Sequence, residues 1–235
     1  MSSSGRQPGR DTIEGGELAD AGLDSLLAPY RNRKDAWLRA CRDGGTGLAD
    51  GLFMAEGELV VRTLIESEHR VVSVLCTPTR LEGMAGDLAA LPPGSPILVA
   101  ERRVIESVVG FDLHRGILAL GERAAPPTAD ELIERCRVLA VCEDLANHGN
   151  TGAVFRNLAC LGGEGAGGLL SPGCCDPLYR KGLRVSVGHA LRLPFARLEP
   201  WPDGLGRLVT AGYETVALTP AGDAEDIRQI EHNPN

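Results

Sequence analysis

The sequence contains no apolar run approaching the roughly 20 residues that span a bilayer, and its Ser/Gly/Arg-rich start has none of the apolar core of a secretory signal. These absences exclude a membrane span and predict a cytoplasmic protein. Aromatic residues are scarce at 4%, while 43% of the 235 residues are hydrophobic. That is the composition of a soluble globular chain with room for two domains. The seven cysteines, at 41, 76, 136, 142, 160, 174 and 175, form no Cys-x-x-Cys pair and no Cys/His ligand spacing. No metal is expected, and the odd count predicts reduced thiols packed as small hydrophobes.

Positive charge is also in short supply, with a formal net charge of −8. Such a balance disfavours nucleic-acid binding unless the cations cluster, and two groups do cluster. Arg180, Lys181, Arg184, Arg192 and Arg197 face only Asp176 between positions 176 and 198, and Arg31, Arg33 and Lys34 form a second group. Taken alone, each reads equally as a solvated helix face.

Residues 1–21 are polar and aperiodic and are expected to be a disordered tail. From 22 to 123 the chain alternates apolar strand runs with helix patterns. Tyr30–Arg42 reads as a charged helix, 52–57 as a strand and 58–67 as a helix. Strands at 71–76, 96–100 and 116–120 and a helix at 102–109 complete a small α/β domain. Ala124-Ala125-Pro126-Pro127 is a linker, and Thr128 with Glu131 is a capping-box signature for a helix to Arg135, closing a linker-and-helix segment at 136.

The second domain, 137–235, reads as strands at 138–142, 167–170, around 195–198 and at 215–218. Helix patterns follow at 179–191, 204–211 and 223–230. This series is that of an open parallel sheet with helices on both faces.

The most informative stretch lies after the first of those strands. Asn147-His148-Gly149-Asn150-Thr151-Gly152-Ala153-Val154-Phe155-Arg156 is a polar Asn/Gly loop turning into an amphipathic helix. Such a strand-loop-helix unit presents backbone N–H groups where open α/β sheets meet anions and cofactors. In isolation, Asn150 reads as a helix cap and Arg156 as an exposed helix arginine. His189 reads as a solvated or capping residue, Ser186 lacks a His/Asp partner for hydrolase chemistry, and no GxGxxG dinucleotide fingerprint follows the strand.

The set Asn147, Asn150, Gly152, Arg156 and Ala159 resembles the first motif of the SpoU (TrmH-like) RNA ribose methyltransferases, members of the knotted SPOUT class. Asp176-Pro177, Arg180-Lys181, Arg184-Val185-Ser186-Val187-Gly188 and Leu193-Pro194-Phe195 resemble that family's second βα segment. Glu56-Gly57 and Gly110-Phe111-Asp112-Leu113-His114-Arg115-Gly116 resemble its ribosomal-protein-like substrate-binding domain. The resemblance covers residues 22–230 and implies an α/β substrate-binding domain followed by an open parallel-sheet SPOUT-type domain.

It further implies methyl transfer from S-adenosyl-L-methionine to a ribose 2′-hydroxyl of tRNA or rRNA by a homodimer. Asn150 and Arg156 match the catalytic positions. Arginine stays protonated, so its first role is to hold a phosphate beside the target ribose, with assistance to deprotonation as the family's extension. Asn147, Arg115, Arg180, Lys181 and Arg184 are assigned to RNA; for Arg115, a turn leading into a strand is the alternative.

The family's second and third motifs, which form the knot around the donor, have no counterpart after the last strand pattern, so the domain is expected to lack its knot segment. Gly162-Gly163-Glu164-Gly165 copies the second motif's composition but reads as a helix C-terminus and loop. Leu218 and Thr219, at the carboxyl end of the last strand pattern, are assigned to the donor because open sheets bind ligands there. The alternative is a non-catalytic RNA-binding or dimerisation protein, or an inactive fragment.

Overall fold

The computed structural model describes residues 10–12, 21–40, 51–219, 221–224 and 226–229. The first domain holds β1 (Arg10–Thr12), α1 (Ala21–Leu27), α2 (Asp35–Ala40), β2 (Leu52–Glu56), α3 (Glu58–Ile65), β3 (Arg70–Cys76), α4 (Pro78–Gly83), α5 (Ala85–Leu88), β4 (Ile97–Val99), α6 (Arg102–Val109) and β5 (Ile117–Glu122). Its five strands are ordered β1-β4-β3-β5-β2. β5 runs antiparallel to both neighbours, pairing Glu56 with Leu118 on one side and Cys76 with Ile117 on the other.

Alternation along the strands divides the side chains between two cores. Leu52, Met54, Leu75, Leu98 and Leu118 pack with α1, α2 and α6 on one face. Phe53, Ala55, Val74, Ile97 and Ala119 pack with α3 and α5 on the other. α6 ends where Gly110 takes the left-handed conformation (φ 74°), which costs glycine nothing.

The first domain's strands read from the sequence are present with small shifts in their ends. Two readings of this domain differ. Arg10–Thr12 forms a strand parallel to β4 where a disordered tail was expected, because β4 otherwise offers an unpaired edge. Of the charged helix expected at Tyr30–Arg42, only Asp35–Ala40 is helical, and its end lies outside the described residues.

The second domain adds α7 (Ala129–Arg135), β6 (Val138–Cys142), α8 (His148–Gly162), β7 (Ala166–Leu170), α9 (Arg180–Val185), β8 (Phe195–Arg197) and α10 (Gly206–Thr210). The capping box is formed: the Glu131 N–H donates to Thr128 Oγ1 (3.2 Å) and the Thr128 N–H to Glu131 Oε2 (2.6 Å). The strands are all parallel, in order β6-β7-β8. Leu169 and Ala196 face α7 and α10, while Gly168 faces Phe155 of α8, so helices cover both faces.

The fourth strand pattern, at 215–218, forms no strand. Residues 213–219 have no regular secondary structure and Leu218 is 81% exposed. Alternating apolar residues make a strand only when a neighbouring edge takes them up, and here β6 keeps an open edge among the described residues. The expected helix at 223–230 is reduced, among the described residues, to a 3₁₀ turn at Ile227–Gln229. The helix expected at 179–191 stops at Val185, because Val187 (φ 55°) and Gly188 (φ 84°) turn left-handed, and a 3₁₀ turn, His189–Leu191, follows.

The two domains share one apolar core. Phe53, Val61 and Leu64 belong to the same buried cluster as Phe155, Leu158, Leu183 and Leu191.

Candidate RNA-facing site

α8 begins directly after the carboxyl end of β6, and its first turn is capped by Asn147. The Asn147 Oδ1 accepts from the N–H groups of Gly149 (2.8 Å) and Asn150 (3.3 Å). Thr151 donates through Oγ1 to the Asn147 carbonyl (3.2 Å) and stands 3.0 Å from Cys175 Sγ, tying the helix start to the loop after β7. The His148 ring stacks on Tyr179 at 5.0 Å and 17°.

Gly152 lets α8 rest on α9. A β-carbon there would stand 2.6 Å from the Gly182 carbonyl oxygen and 2.9 Å from Val185 Cβ. Gly152 is thus a packing residue rather than a backbone donor to a ligand.

This packing leaves Asn150 and Arg156 exposed. Neither side chain has a hydrogen-bond or ionic partner among the described residues. Lys181 joins them: its Nζ would stand 3.9 Å from a β-carbon on Gly149, over the first turn of α8. The helix dipole and a lysine cation act together there on any anion. Arg115 is exposed at the end of the first domain that meets α9, with its carbonyl held by Arg80 Nε (3.0 Å) and its guanidinium without an ionic partner among the described residues.

Arg180 and Arg184 are placed differently. Both turn to Glu56, which is 4% exposed, at 3.9 and 3.6 Å. Arg180 also covers the Phe111 ring at 4.0 Å. They brace the first domain against α9, whereas the sequence assigned them to RNA. Leu218 and Thr219 lie in the exposed segment without secondary structure, not at the end of a strand, and they line neither the large cavity between the domains nor the small pocket beside Phe111.

Sequence reading missed the second ionic brace between the domains. Asp176, 4% exposed, accepts from Leu178 N–H (2.9 Å) and from Arg123 Nη1 (3.3 Å), and pairs with Arg39 Nε at 3.3 Å. Arg123 Nη2 stands 3.0 Å from Asp176 Oδ2 but off the hydrogen-bond axis. Asp176-Pro177 was visible as a motif, yet its partners lie 53 and 137 positions away. Beside Arg123, His69 accepts the Ala124 N–H at Nδ1 (2.9 Å), and burial, then the Arg123 charge, lower its pKa to about 4.

Of the described thiols, Cys76, Cys142 and Cys174 are buried as small hydrophobes, whereas Cys136 and Cys175 are partly exposed and Cys160 is exposed. Burial and the neighbouring Cys174 and Cys175 push Cys142 up to about 11, and burial alone pushes Cys76 up to about 12. No group of three His, Cys, Asp or Glu side chains among the described residues is placed to hold a metal. A cavity of about 1080 Å³ lies between the domains along the linker, bordered by Arg39, Arg123, Asp176 and Phe195. None of the residues assigned from sequence lines it.

The sequence from 137 to 235 matches the model of the SpoU rRNA methylase family. Proteins called uncharacterised tRNA/rRNA methyltransferases in Mycobacterium bovis and Mycobacterium tuberculosis are 38% identical over 185 residues, 77% of this chain and 63% of theirs. The chain therefore spans less than two thirds of the length of these curated relatives.

Among solved structures, the AdoMet-bound rRNA methyltransferase of Sinorhizobium meliloti aligns with TM-score 0.57 and 18% identity over 85% of this chain and 69% of that one. The SpoU methyltransferase AviRb of Streptomyces viridochromogenes aligns with TM-score 0.55 and 21% identity, over 80% and 66%. At such identities the likeness concerns the fold alone. Asn150, Gly152 and Arg156 lie inside the matched SpoU domain.

Proposed function

We propose that the protein acts on tRNA or rRNA as a cytoplasmic, homodimeric SpoU-type methyltransferase, transferring a methyl group from S-adenosyl-L-methionine to a ribose 2′-hydroxyl. The observation that carries this reading is the start of α8. Arg156 and Asn150 are presented to solvent without partners among the described residues, on a helix whose capped first turn and adjacent Lys181 attract phosphate.

In the chemistry, a 2′-hydroxyl is a poor nucleophile and must be held in line with the group it attacks. The Arg156 guanidinium suits a bidentate grip on the phosphate beside that ribose, and Asn150 orients the loop. S-adenosyl-L-methionine as the donor is supported by the AdoMet-bound rRNA methyltransferase of Sinorhizobium meliloti, which shares the fold. Because Leu218 and Thr219 do not fit a donor pocket, no step is assigned to them.

That misfit favours a second reading, an RNA-binding or dimerisation protein without catalysis. Incubation with methyl-labelled S-adenosylmethionine and total tRNA or rRNA, followed by nucleoside digestion, separates the two. Label in 2′-O-methylnucleosides supports the transferase; RNA binding with no label supports the second reading.

A further inference from the structure

The basic run Arg31, Arg33 and Lys34 belongs to no part of the site described above. It occupies the bend between α1 and α2, one helical turn before Trp37, which is 41% exposed. The Arg33 guanidinium lies over the Trp37 indole at 4.3 Å. Arg31 is neutralised by Asp24, whereas Arg33 and Lys34 have no carboxylate partner among the described residues.

This bend is anchored to the candidate site. The Arg180 N–H donates to Asp35 Oδ1 (3.2 Å), and Asn32, at φ 42°, packs its side chain where a β-carbon on Gly110 would stand 3.1 Å away. A small surface pocket of about 30 Å³ is lined by Asn32, Arg33, Asp35, Phe111 and Arg180. Two arginine–aromatic stacks, Arg33 on Trp37 and Arg180 on Phe111, therefore stand side by side. Lys181, the next residue, reaches the first turn of α8.

We propose that this surface binds single-stranded RNA flanking the target nucleotide, with a base stacked on Trp37 and adjacent phosphates on Arg33 and Lys34. The proposal rests on the RNA reading of the α8 site and extends it. Every base offers a π face, so an exposed indole flanked by cations that no described carboxylate neutralises is a sequence-tolerant platform for single strands; Arg33 Nε meanwhile donates to the Ala28 carbonyl (3.3 Å). Double-stranded RNA keeps its bases stacked inside and offers none to the ring.

The test uses the Trp201→Phe protein, in which Trp37 is the sole tryptophan, titrated with a uridine-rich single-stranded oligoribonucleotide and with a duplex of the same length. The expected result is saturable quenching of Trp37 emission by the single strand and not by the duplex. Trp37→Ala is expected to weaken binding about tenfold and Trp37→Tyr less than about threefold, with melting temperature monitored for each. Lys34→Glu is expected to weaken binding and to flatten its salt dependence. RNA binding that leaves Trp37 emission and the Trp37→Ala affinity unchanged overturns the proposal while the α8 reading stands. Absence of any RNA binding overturns both, and quenching by an added protein extract but not by RNA assigns the surface to a protein partner and overturns it as well.

Discussion

Gly152 in α8 lies against the backbone carbonyl of Gly182 in α9, with 2.6 Å separating that oxygen from the place a β-carbon would occupy. The contact is to backbone, so neither side can rotate out of the way. Gly152→Ala is expected to force the helices apart and destabilise the protein by about 1–3 kcal/mol. Equilibrium urea denaturation measures the loss. Binding at the α8 start is expected to weaken in step, because Asn147, Asn150 and Arg156 all ride on that helix.

Asp176 holds the domains together through Arg123, whose side chain is 11% exposed, and Arg39. Removing the carboxylate strands a buried guanidinium, so Asp176→Ala is expected to cost about 3–5 kcal/mol. Asp176→Asn keeps an acceptor for Leu178 N–H and is expected to cost less. Denaturation midpoints of the two variants check the order. Equal losses would show that the charge of Asp176 contributes nothing beyond its loop hydrogen bond.

His69 makes stability depend on pH. Its folded pKa of about 4 lies below the ordinary 6.5, so between these values the unfolded chain binds a proton that the folded chain refuses. Stability is therefore expected to fall as pH drops from about 6.5 to about 4, by at most about 1.4 kcal/mol per unit from this group. Above pH 6.5 the group has no effect. His69→Gln retains an acceptor for the Ala124 N–H without titrating, and its stability is expected to decline less over the same window in thermal melts.

Local chemistry made much of this fold legible from sequence. Thr128 and Glu131 announced α7 because both halves of a capping box sit three residues apart, and Gly110 ended α6 where a left-handed residue was needed. Patterns whose outcome depends on distant partners were not legible. Residues 215–218 alternate as a strand should, yet a strand needs an edge to pair with. Arg180 and Arg184 read as cations free to meet RNA because Glu56 lies more than 120 positions away in the chain. The start of α8 was readable because its Asn/Gly composition and arginine are local, although the cap is Asn147 and not Asn150, which lies inside the helix. Trp37 escaped notice because only folding shows that its ring stays exposed beside Arg33.

The central claim is that Arg156, exposed and without an ionic partner among the described residues, serves methyl transfer to ribose. The most direct measurement is mass spectrometry of nucleosides from tRNA and rRNA treated with S-adenosylmethionine and either the parent protein or Arg156→Ala. The account predicts 2′-O-methylnucleosides with the parent and their loss with Arg156→Ala, at unchanged melting temperature. Methyl groups found on bases alone, or near-parental ribose methylation by Arg156→Ala, would contradict it.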